Sequence, residues 1–576
     1  MTDAALAAER VVRALASATN GFLAGLRIVV PGDGDVADGV RRILGGLGAR
    51  VVATPGRGTA APVPADCDVV VVTEAWNGVG APLVVDALPG AAARWSDGTP
   101  VRPGVRRRGD GVLGVPVDVH APPLTGAGAP GRRGDAEGRM RWAAERMPVT
   151  RALAAELAER GLLAGRRVLV SLVLEPKTSV LARALRDAGA DPVLFANCAE
   201  TDGEVAAVLR RSGFVVHAAE GPVVAAERAA IDRRNALAAL DTEPDLLIDD
   251  GAQLLRLAHL ERPGVLAGLL AAEETTSGVR AAAAMGDQLR VPVVAVNDAS
   301  TKTGVDNRHG TGHSCVLAVA DLLDRARPRA RGQCGTRWSV YGFGPVGEGT
   351  AEAARALGAV VTVVEPDPLR AMAALHRGFD VGDAVPAADA DVLISASGRR
   401  ATLGRDILDA APDAAVIAVA GGVDGEVAFG ELADAGYRRL DCAAAGGPDV
   451  AAVEGIGLLR APDGRTLLLL ADGDGVNYAA GEGNAVEVMD LSLASQLAAL
   501  RQLLGGPAIP PGVVALDRDA QEHIARLYLA TRGVAAHGPR AARPAAPSPR
   551  SAPTPTDDWR AHRYAPDVPP LASEST

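Results

Sequence analysis

Residues 337–347 read RWSVYGFGPVG, an apolar run that leads into glycines at Gly342, Gly344 and Gly347. The run predicts a buried strand, and the residues after the glycines predict a helix. Glycines at this spacing allow a tight turn and a close approach of the backbone to a pyrophosphate at the helix N-terminus. Glu365 ends the next apolar run, where a carboxylate can accept both ribose hydroxyls and would repel a 2′-phosphate. The stretch therefore predicts an NAD site, with a purely structural turn as the alternative.

The same alternation of short apolar runs and helical patterns extends to both sides, from about residue 138 to 505. Such alternation is typical of parallel sheets covered by helices. Residues 1–97 predict a divergent α/β, Rossmann-like extension, and residues 98–137, rich in Gly, Pro and Arg, predict a linker. A last helix is predicted over 516–533, and residues 538–576 have the composition of a disordered tail. Within the extension, the pattern predicts a helix over 1–20 and strands at 26–31, near 50–54 and at 68–73.

The extension contains a second, divergent copy of the glycine-rich stretch. Residues 32–39 share the frame of residues 342–349, and a Leu-Gly-Ala follows at the same distance in both copies. Ala37 replaces the third glycine, and Pro55 stands where the ribose-binding acid belongs. Three nearby carboxylates would repel a pyrophosphate, namely those of Asp33, Asp35 and Asp38. We therefore expect a packing remnant of a nucleotide fold and not a working cofactor site.

Composition narrows the class of protein. The chain has 576 residues, of which 48% are hydrophobic and 22% charged, so it can bury a large core. The net charge of -11 argues against binding to nucleic acids or anionic membranes, which needs a basic face. The five cysteines show no CxxC spacing, so neither a disulfide framework nor a zinc site is predicted. No apolar run is long enough to span a membrane and no signal pattern is present, so we expect a cytoplasmic protein.

Lysine is rare in this chain, with only Lys177 and Lys302 among 59 basic residues. Arginine keeps its proton, whereas a desolvated lysine can act as an acid or a base near neutral pH. Lys302 lies in the cluster NDASTKTGVDN, four residues before Asp306, so the two share a face if a helix begins there. Such a pair could take a hydroxyl proton and a carbon-bound proton in sequence. The alternative is a surface salt bridge.

Further polar groups follow the apolar runs, at the end of a parallel sheet where ligands bind. They are the acid pairs Asp249-Asp250 and Glu273-Glu274, and the motif EPKT at 175–178. Each acid could instead cap a helix.

Taken together and in order, these motifs resemble the S-adenosyl-L-homocysteine hydrolase family. The resemblance runs from about Arg139 to Leu504 through EPKT, IDDGAQL, EETTSGV, VNDASTKTGVDN, the glycine stretch and VNYAAGEGN. It implies an α/β fold with two Rossmann-like parallel-sheet domains, in addition to the N-terminal extension and the tail. Residues 138–312 and 486–506 would bind a small nucleoside substrate, 313–485 would bind NAD, and 507–537 would form a C-terminal helical segment. The resemblance also implies a homotetramer.

The resemblance implies roles for individual residues. Lys302 and Asp306 would be the acid/base pair for oxidation of a ribose 3′-hydroxyl and for C4′ deprotonation. Asp250 and Glu274 would hold the ribose hydroxyls and assist proton transfer. The residues that would contact the adenine are Glu175, Lys177 and Thr178. Those that would hold NAD are Thr275, Thr276, Ser277, Asn307, Gly342, Gly344, Val346, Gly347, Glu365 and Asn477.

The sequence departs from the family pattern at three histidines. The corresponding positions are Val173, Gly422 and Asn484. The set for 3′-oxidation is complete, whereas the imidazoles that would serve the 5′ side and the ligand gate are missing. We therefore expect NAD-dependent oxidation of the 3′-hydroxyl of adenosine or a related nucleoside, with the 5′ chemistry altered or lost. The alternatives are an ordinary hydrolase with rearranged proton donors and a non-catalytic sensor of NAD or nucleoside.

Overall fold

We describe the fold from a computed structural model. The structure describes residues 3–52, 63–64, 66–73, 81–121, 134–221, 223, 227–326, 332–382, 386–421, 425–440 and 455–534. The predicted tail at 538–576 and Gly422 lie outside the described residues.

Three sheets form the framework, and their strands coincide with the apolar runs of the sequence. The first sheet has the order β2-β1-β3-β4-β7-β6-β5. Its strands are β1 (Arg27–Val29), β2 (Arg50–Val52), β3 (Val69–Val72), β4 (Leu83–Asp86), β5 (Thr99–Arg102), β6 (Val105–Arg107) and β7 (Leu113–Pro116). Pairing is parallel from β2 through β7, and β5, β6 and β7 form an antiparallel meander at one edge.

The second sheet is parallel throughout and has the order β10-β9-β8-β11-β12-β13-β22. Its strands are β8 (Arg167–Ser171), β9 (Asp191–Phe195), β10 (Val215–His217), β11 (Leu246–Asp249), β12 (Leu270–Glu273), β13 (Pro292–Ala295) and β22 (Gly512–Ala515). β11, β12 and β13 are wholly buried runs, as expected of strands that are covered by helices on both faces.

The third sheet has the order β16-β15-β14-β17-β18-β21-β20-β19. Its strands are β14 (Arg337–Tyr341), β15 (Val360–Val364), β16 (Asp380–Val381), β17 (Val392–Ser395), β18 (Val416–Val419), β19 (Arg438–Leu440), β20 (Ile456–Arg460) and β21 (Thr466–Leu470). It is parallel except for the meander β19-β20-β21 at its edge. The α/β fold class is thereby confirmed.

Helices connect and cover these strands. They are α1 (Asp3–Thr19), α2 (Asp35–Gly46), α3 (Ala91–Arg94), α4 (Ala136–Arg146), α5 (Pro148–Glu159), α6 (Pro176–Asp187), α7 (Gly203–Arg211), α8 (Arg228–Leu240), α9 (Gln253–Glu261), α10 (Thr276–Ala284), α11 (Gly312–Ala326), α12 (Pro345–Ala356), α13 (Pro368–His376), α14 (Arg405–Ala410), α15 (Phe429–Asp434), α16 (Val476–Ala480), α17 (Val486–Gly505) and α18 (Arg518–Thr531). A π-helical stretch, Thr303–Thr311, precedes α11. None of the described helices is long and apolar enough to cross a membrane.

The chain divides into two compact units. The first unit comprises residues 1–142 and 304–488 and contains the first and third sheets. The second unit comprises residues 143–303 and 489–576 and contains the second sheet.

One sequence prediction is wrong. Residues 98–137 were expected to be a linker, but they contribute β5, β6 and β7 to the first sheet. These strands are only three or four residues long, so their alternation is too short to stand out from the glycines and arginines around them. Arg102 is moreover buried within β5, where its guanidinium pairs with Glu482 at 2.8 Å. A charged residue at an inward position conceals the apolar period.

Candidate active site

The glycine stretch forms the turn between β14 and α12 in the first unit. Gly342 has φ +99°, which favours glycine, and Gly344 caps α12. A Cβ added at Gly347 would lie 2.0 Å from the carbonyl oxygen of Gly342, so a side chain there would collide with the turn. Glu365, at the end of β15, accepts a hydrogen bond from the backbone N–H of Phe343 at 2.5 Å. The predicted ribose-binding acid therefore lies directly at the turn.

A second polar cluster of the first unit is centred on Asn484. Its side-chain amide donates to a carboxylate oxygen of Asp306 and, at 3.1 Å, to Oγ1 of Thr311. Its carbonyl oxygen accepts from Ser314 Oγ at 3.2 Å and from Asn477 Nδ2 at 3.3 Å. Asp306, Asn477 and Asn484 are all buried. The cluster thus joins the predicted catalytic Asp306 to the predicted cofactor residue Asn477 through Asn484.

The second unit contains another buried cluster, around Glu274. Its two carboxylate oxygens accept hydrogen bonds from Ser492 and Gln496, which lie one turn apart on α17. The Lys302 Nζ lies 3.4 Å from Glu274 Oε1. The structure therefore brings together two of the predicted catalytic residues. The sequence analysis missed Ser492 and Gln496, for which the available signal was two polar side chains one helical turn apart among the apolar residues of α17.

In each of the acid pairs Asp249-Asp250 and Glu273-Glu274, the first acid has a structural role. Asp249 and Glu273 are fully buried and hold turns: Asp249 accepts from the N–H of Leu255 at 2.9 Å, and Glu273 from the N–H groups of Gly251 and Ala252 at 3.0 and 2.9 Å. Burial raises the pKa of Asp249 to about 6. Burial, followed by the charge of Asp249, also raises the pKa of Glu273. The capping alternative therefore fits Asp249 and Glu273, while Asp250 and Glu274 follow them at the ligand-binding end of β11 and β12.

The EPKT motif forms the start of α6. Lys177 is wholly buried, and its Nζ lies 2.5 Å from Oε2 of Glu175. Thr178 Oγ1 donates to the backbone carbonyl of Val173 at 2.5 Å. The side chain of Val173 is half-buried and takes no part in this bond.

The predicted residues fall into two groups, one in each unit. Within the second unit, Thr275 caps α10 by accepting from the N–H of Gly278 at 3.2 Å, and Thr276 Oγ1 donates to Asn297 at 3.1 Å. The second unit holds Glu175, Lys177, Thr178, Asp250, Glu274, Thr275, Thr276, Ser277 and Lys302. The first unit holds Asp306, Asn307, Gly342, Gly344, Val346, Gly347, Glu365 and Asn477.

Comparison with known proteins identifies the family of this chain. Residues 133–266 match the model of S-adenosyl-L-homocysteine hydrolase, and residues 313–483 match that of its NAD binding domain. S-inosyl-L-homocysteine hydrolase of Methanopyrus kandleri is 37% identical over 399 residues, which cover 68% of this chain and 89% of that protein. The chain belongs to the S-adenosyl-L-homocysteine hydrolase family. Another relative, adenosylhomocysteinase of Thermotoga maritima, is 36% identical over 407 residues, covering 69% of this chain and 95% of that protein.

The family makes this chain an NAD-dependent enzyme, and the residues of the first unit fit the cofactor. The absence of a side chain at Gly347 lets the first turn of α12 pack against the carbonyl of Gly342, which places the helix N-terminus at the turn. Asn477 is 1% exposed, and its side-chain Oδ1 is buried without a hydrogen-bond partner among the described residues. An unpaired buried acceptor is costly, so it fits a ligand that brings a donor. Gly342, Gly344, Glu365 and Asn477 are therefore the residues of this unit that would hold NAD.

Proposed function

We propose that this enzyme oxidises the 3′-hydroxyl of adenosine or a closely related nucleoside, and that its chemistry at the 5′ carbon is altered or lost. The observation that carries the proposal is the buried contact between Lys302 and Glu274. This contact would let Lys302 exchange a proton with the 3′ oxygen of the ribose. By the resemblance read from the sequence, Val173 and Asn484 would stand at two positions where the family has histidine.

The oxidation side is well supported by this chain's own residues. Ser492 and Gln496 orient both oxygens of Glu274, which leaves that carboxylate fixed toward Lys302. A buried carboxylate at the carboxyl end of a parallel strand is placed to accept from ribose hydroxyls. Lys302 then takes the proton of the 3′-hydroxyl, with Asp306 as the second member of the acid/base pair for the C4′ proton. NAD, when bound, supplies the acceptor for the hydride that leaves C3′.

Neither Val173 nor Asn484 can exchange a proton near neutral pH. Valine has no titratable group, and an amide donates and accepts hydrogen bonds without giving up a proton. Asn484 is in addition committed to Asp306 and Thr311. Because imidazole is the side chain best suited to proton transfer at neutral pH, each missing histidine should slow its step by ~10²–10⁴-fold.

A complete hydrolase is the second candidate, and the names of the relatives favour it. One relative is named for S-inosyl-L-homocysteine and another is an adenosylhomocysteinase. The base of the substrate is therefore to be tested as well as its 5′ group.

The deciding experiment incubates the NAD-loaded protein with adenosine, inosine and their S-linked homocysteine conjugates. Reduced-cofactor absorbance and product masses are followed together. We expect reduction of the cofactor by a free nucleoside with little release of homocysteine. No absorbance change with any of the four compounds would rule out the proposed oxidation, and rapid release of homocysteine would establish the second candidate.

By family resemblance we also propose a homo-oligomer, a tetramer. Light scattering of the purified protein at micromolar concentration tests this, and a monomer would contradict it.

A further inference from the structure

The first and third sheets of the first unit have the same topology. If β16 is left out, the order β15-β14-β17-β18-β21-β20-β19 matches β2-β1-β3-β4-β7-β6-β5 strand for strand. The senses agree as well, because β4 pairs in parallel with β7 as β18 does with β21, and each sheet ends in an antiparallel meander. The described parts of residues 3–121 therefore form a degenerate second copy of the NAD-binding domain.

The phosphate end of the second copy is closed to a nucleotide. Gly32 retains the positive φ, +105° against +99° at Gly342, so the turn itself is preserved. Ala37 now fills the position of the third glycine and is fully buried. Exposed Asp33 and Asp35 flank the turn, and their charges oppose a pyrophosphate.

The same carboxyl edge of the sheet is open further along, at β4 and β7. A cavity of about 750 Å³ lies where β4 and β7 end, at the places that correspond to the ends of β18 and β21 in the NAD-binding domain. Its walls are the segments 87–92 and 115–121 on one side, and His309, His313 and Asn477 on the other. Neither Gly32 nor Gly342 borders it, and Asn477 is its only residue from the predicted NAD set. A volume of this size is that of a small-molecule site.

The polar groups on the cavity favour an uncharged heterocycle. His313 is 9% exposed and donates or accepts no hydrogen bond among the described residues, although it borders the cavity. Burial lowers the pKa of His313 to about 3 and also lowers that of His309, so both rings are neutral at pH 7. A neutral imidazole presents one donor and one acceptor, which matches the edge of a nucleobase. The arginine that lines the cavity, Arg102, is paired with Glu482, so it is not available to a phosphate.

Aromatic rings border the same cavity. The His309 ring lies 5.2 Å from that of His313, edge to face, and 5.8 Å from that of Phe22. Ring faces of this kind stack on planar heterocycles.

We propose that this cavity is a second small-molecule site, which binds an unphosphorylated purine nucleoside with its base against His309 and Phe22 and its base edge on His313. The proposal does not depend on the function proposed above, because none of the residues that line the cavity belongs to the proposed catalytic set. Adenosine is the probe, and AMP is the comparison, since the arginine among the described residues that line the cavity is already paired with Glu482.

The experiment measures bound adenosine per chain by equilibrium dialysis of the full-length, NAD-loaded protein. We expect two adenosines per chain in the wild type and one in His313→Leu, which keeps the volume and removes the donor and acceptor. His376→Leu, on an exposed turn of α13, is the matched control and should keep two. Ala318→Phe, which fills the cavity from α11, should also reduce the count to one, with circular dichroism as a check on folding.

Three other results would each lead to a different conclusion. One adenosine per chain that His313→Leu removes would support this site while contradicting nucleoside binding at the proposed active site. If both His313→Leu and Ala318→Phe still bind two adenosines per chain, the second site is overturned. It is also overturned if the wild type binds one adenosine per chain and both variants keep it. Equal binding of AMP at the site lost in His313→Leu would overturn the assignment to an unphosphorylated ligand.

Discussion

At the scale of single residues, Lys302 offers the most direct test of the chemistry. It is one of two lysines in the chain, and its Nζ lies 3.4 Å from Glu274. Lys302→Arg keeps the positive charge but cannot give up a proton near neutral pH. We expect the rate of cofactor reduction by adenosine to fall by ~10²–10⁴-fold, measured by stopped-flow absorbance. A variant that still reduces its cofactor at the wild-type rate would exclude Lys302 as the base.

Glu365 provides a test of the cofactor site that needs no turnover. Glu365→Ala removes a carboxylate from the fingerprint turn, where it accepts from the N–H of Phe343. Loss of such charge-assisted bonds weakens binding by about 1.5–3 kcal/mol, or roughly 10- to 100-fold. We expect less NAD per chain after gel filtration, measured on the denatured protein. Retention equal to that of the wild type, or recovery of NADP in place of NAD, would contradict the assigned role.

Site residues could be predicted from the sequence where their contacts lie close together along the chain, and not where they lie far apart. The turn at Gly342 and its acid Glu365 could be read from the sequence because one strand–turn–helix unit contains them. Asn484 and Ser492 could not, since their carboxylate partners lie 178 and 218 positions away. Only the fold brings such residues together, and a lone Asn or Ser in the sequence gives no sign of its partner.

At the scale of elements, the ends of β11 and β12 hold a pH-sensitive pair. Burial raises the folded-state pKa of Asp249 to about 6, above its ordinary value of 3.8. The folded protein therefore binds more protons than the unfolded chain in this interval. Stability from this group is full below about pH 4 and is lost as the pH rises through about 6.

Asp249→Asn should flatten this part of the stability profile. We expect the unfolding free energy of the wild type to fall relative to that of the variant between pH 4 and 6, by about 1–3 kcal/mol, as measured in urea. Asp287→Asn, at an exposed position, is the matched control. Parallel profiles for wild type and Asp249→Asn would show that Asp249 stays ionised when buried.

The same scale explains the error over residues 98–137. A strand is predicted from several repeats of the two-residue alternation between apolar and polar side chains. The strands β5, β6 and β7 are so short that each contains at most two repeats. The longer runs at β14 and β15 are each five residues and were predicted correctly. Their alternation with helices was enough to predict the fold class, whereas the edge meander depends on pairing between strands.

At the scale of the whole molecule, a buried ion cluster joins the two copies within the first unit. Arg13 of α1 is fully buried and pairs with Asp321 and Asp324 of α11, while Glu9 lies 3.4 Å from its Nε. Arg13→Met would remove this guanidinium from the buried carboxylates of Asp321 and Glu9, while Asp324 keeps its pair with Arg10. Breaking a buried ion pair typically costs about 3–5 kcal/mol.

We expect Arg13→Met to lower the urea midpoint of the first unit accordingly. Arg405→Met, which removes an exposed pair with Asp409, is the control and should change stability by less than about 0.5 kcal/mol. Equal effects of the two substitutions would show that the buried cluster contributes no more than a surface pair.

The whole reaction is tested by restoring a proton donor at the 5′ side. Val173 is half-buried and only its backbone carbonyl is used, by Thr178, so a histidine side chain can be placed there without breaking that bond. If the lost imidazole limits the 5′ chemistry, Val173→His should raise homocysteine release from S-adenosylhomocysteine by about 10²-fold. Val173→Leu is the control for size and should leave the rate unchanged, and cofactor reduction by adenosine should be similar in all three proteins. The Thermotoga maritima relative, assayed alongside, supplies the rate of an adenosylhomocysteinase. Wild-type release equal to that rate would show that other groups of this chain already perform the 5′ steps, and no gain in Val173→His would show that the missing imidazole is not what limits them.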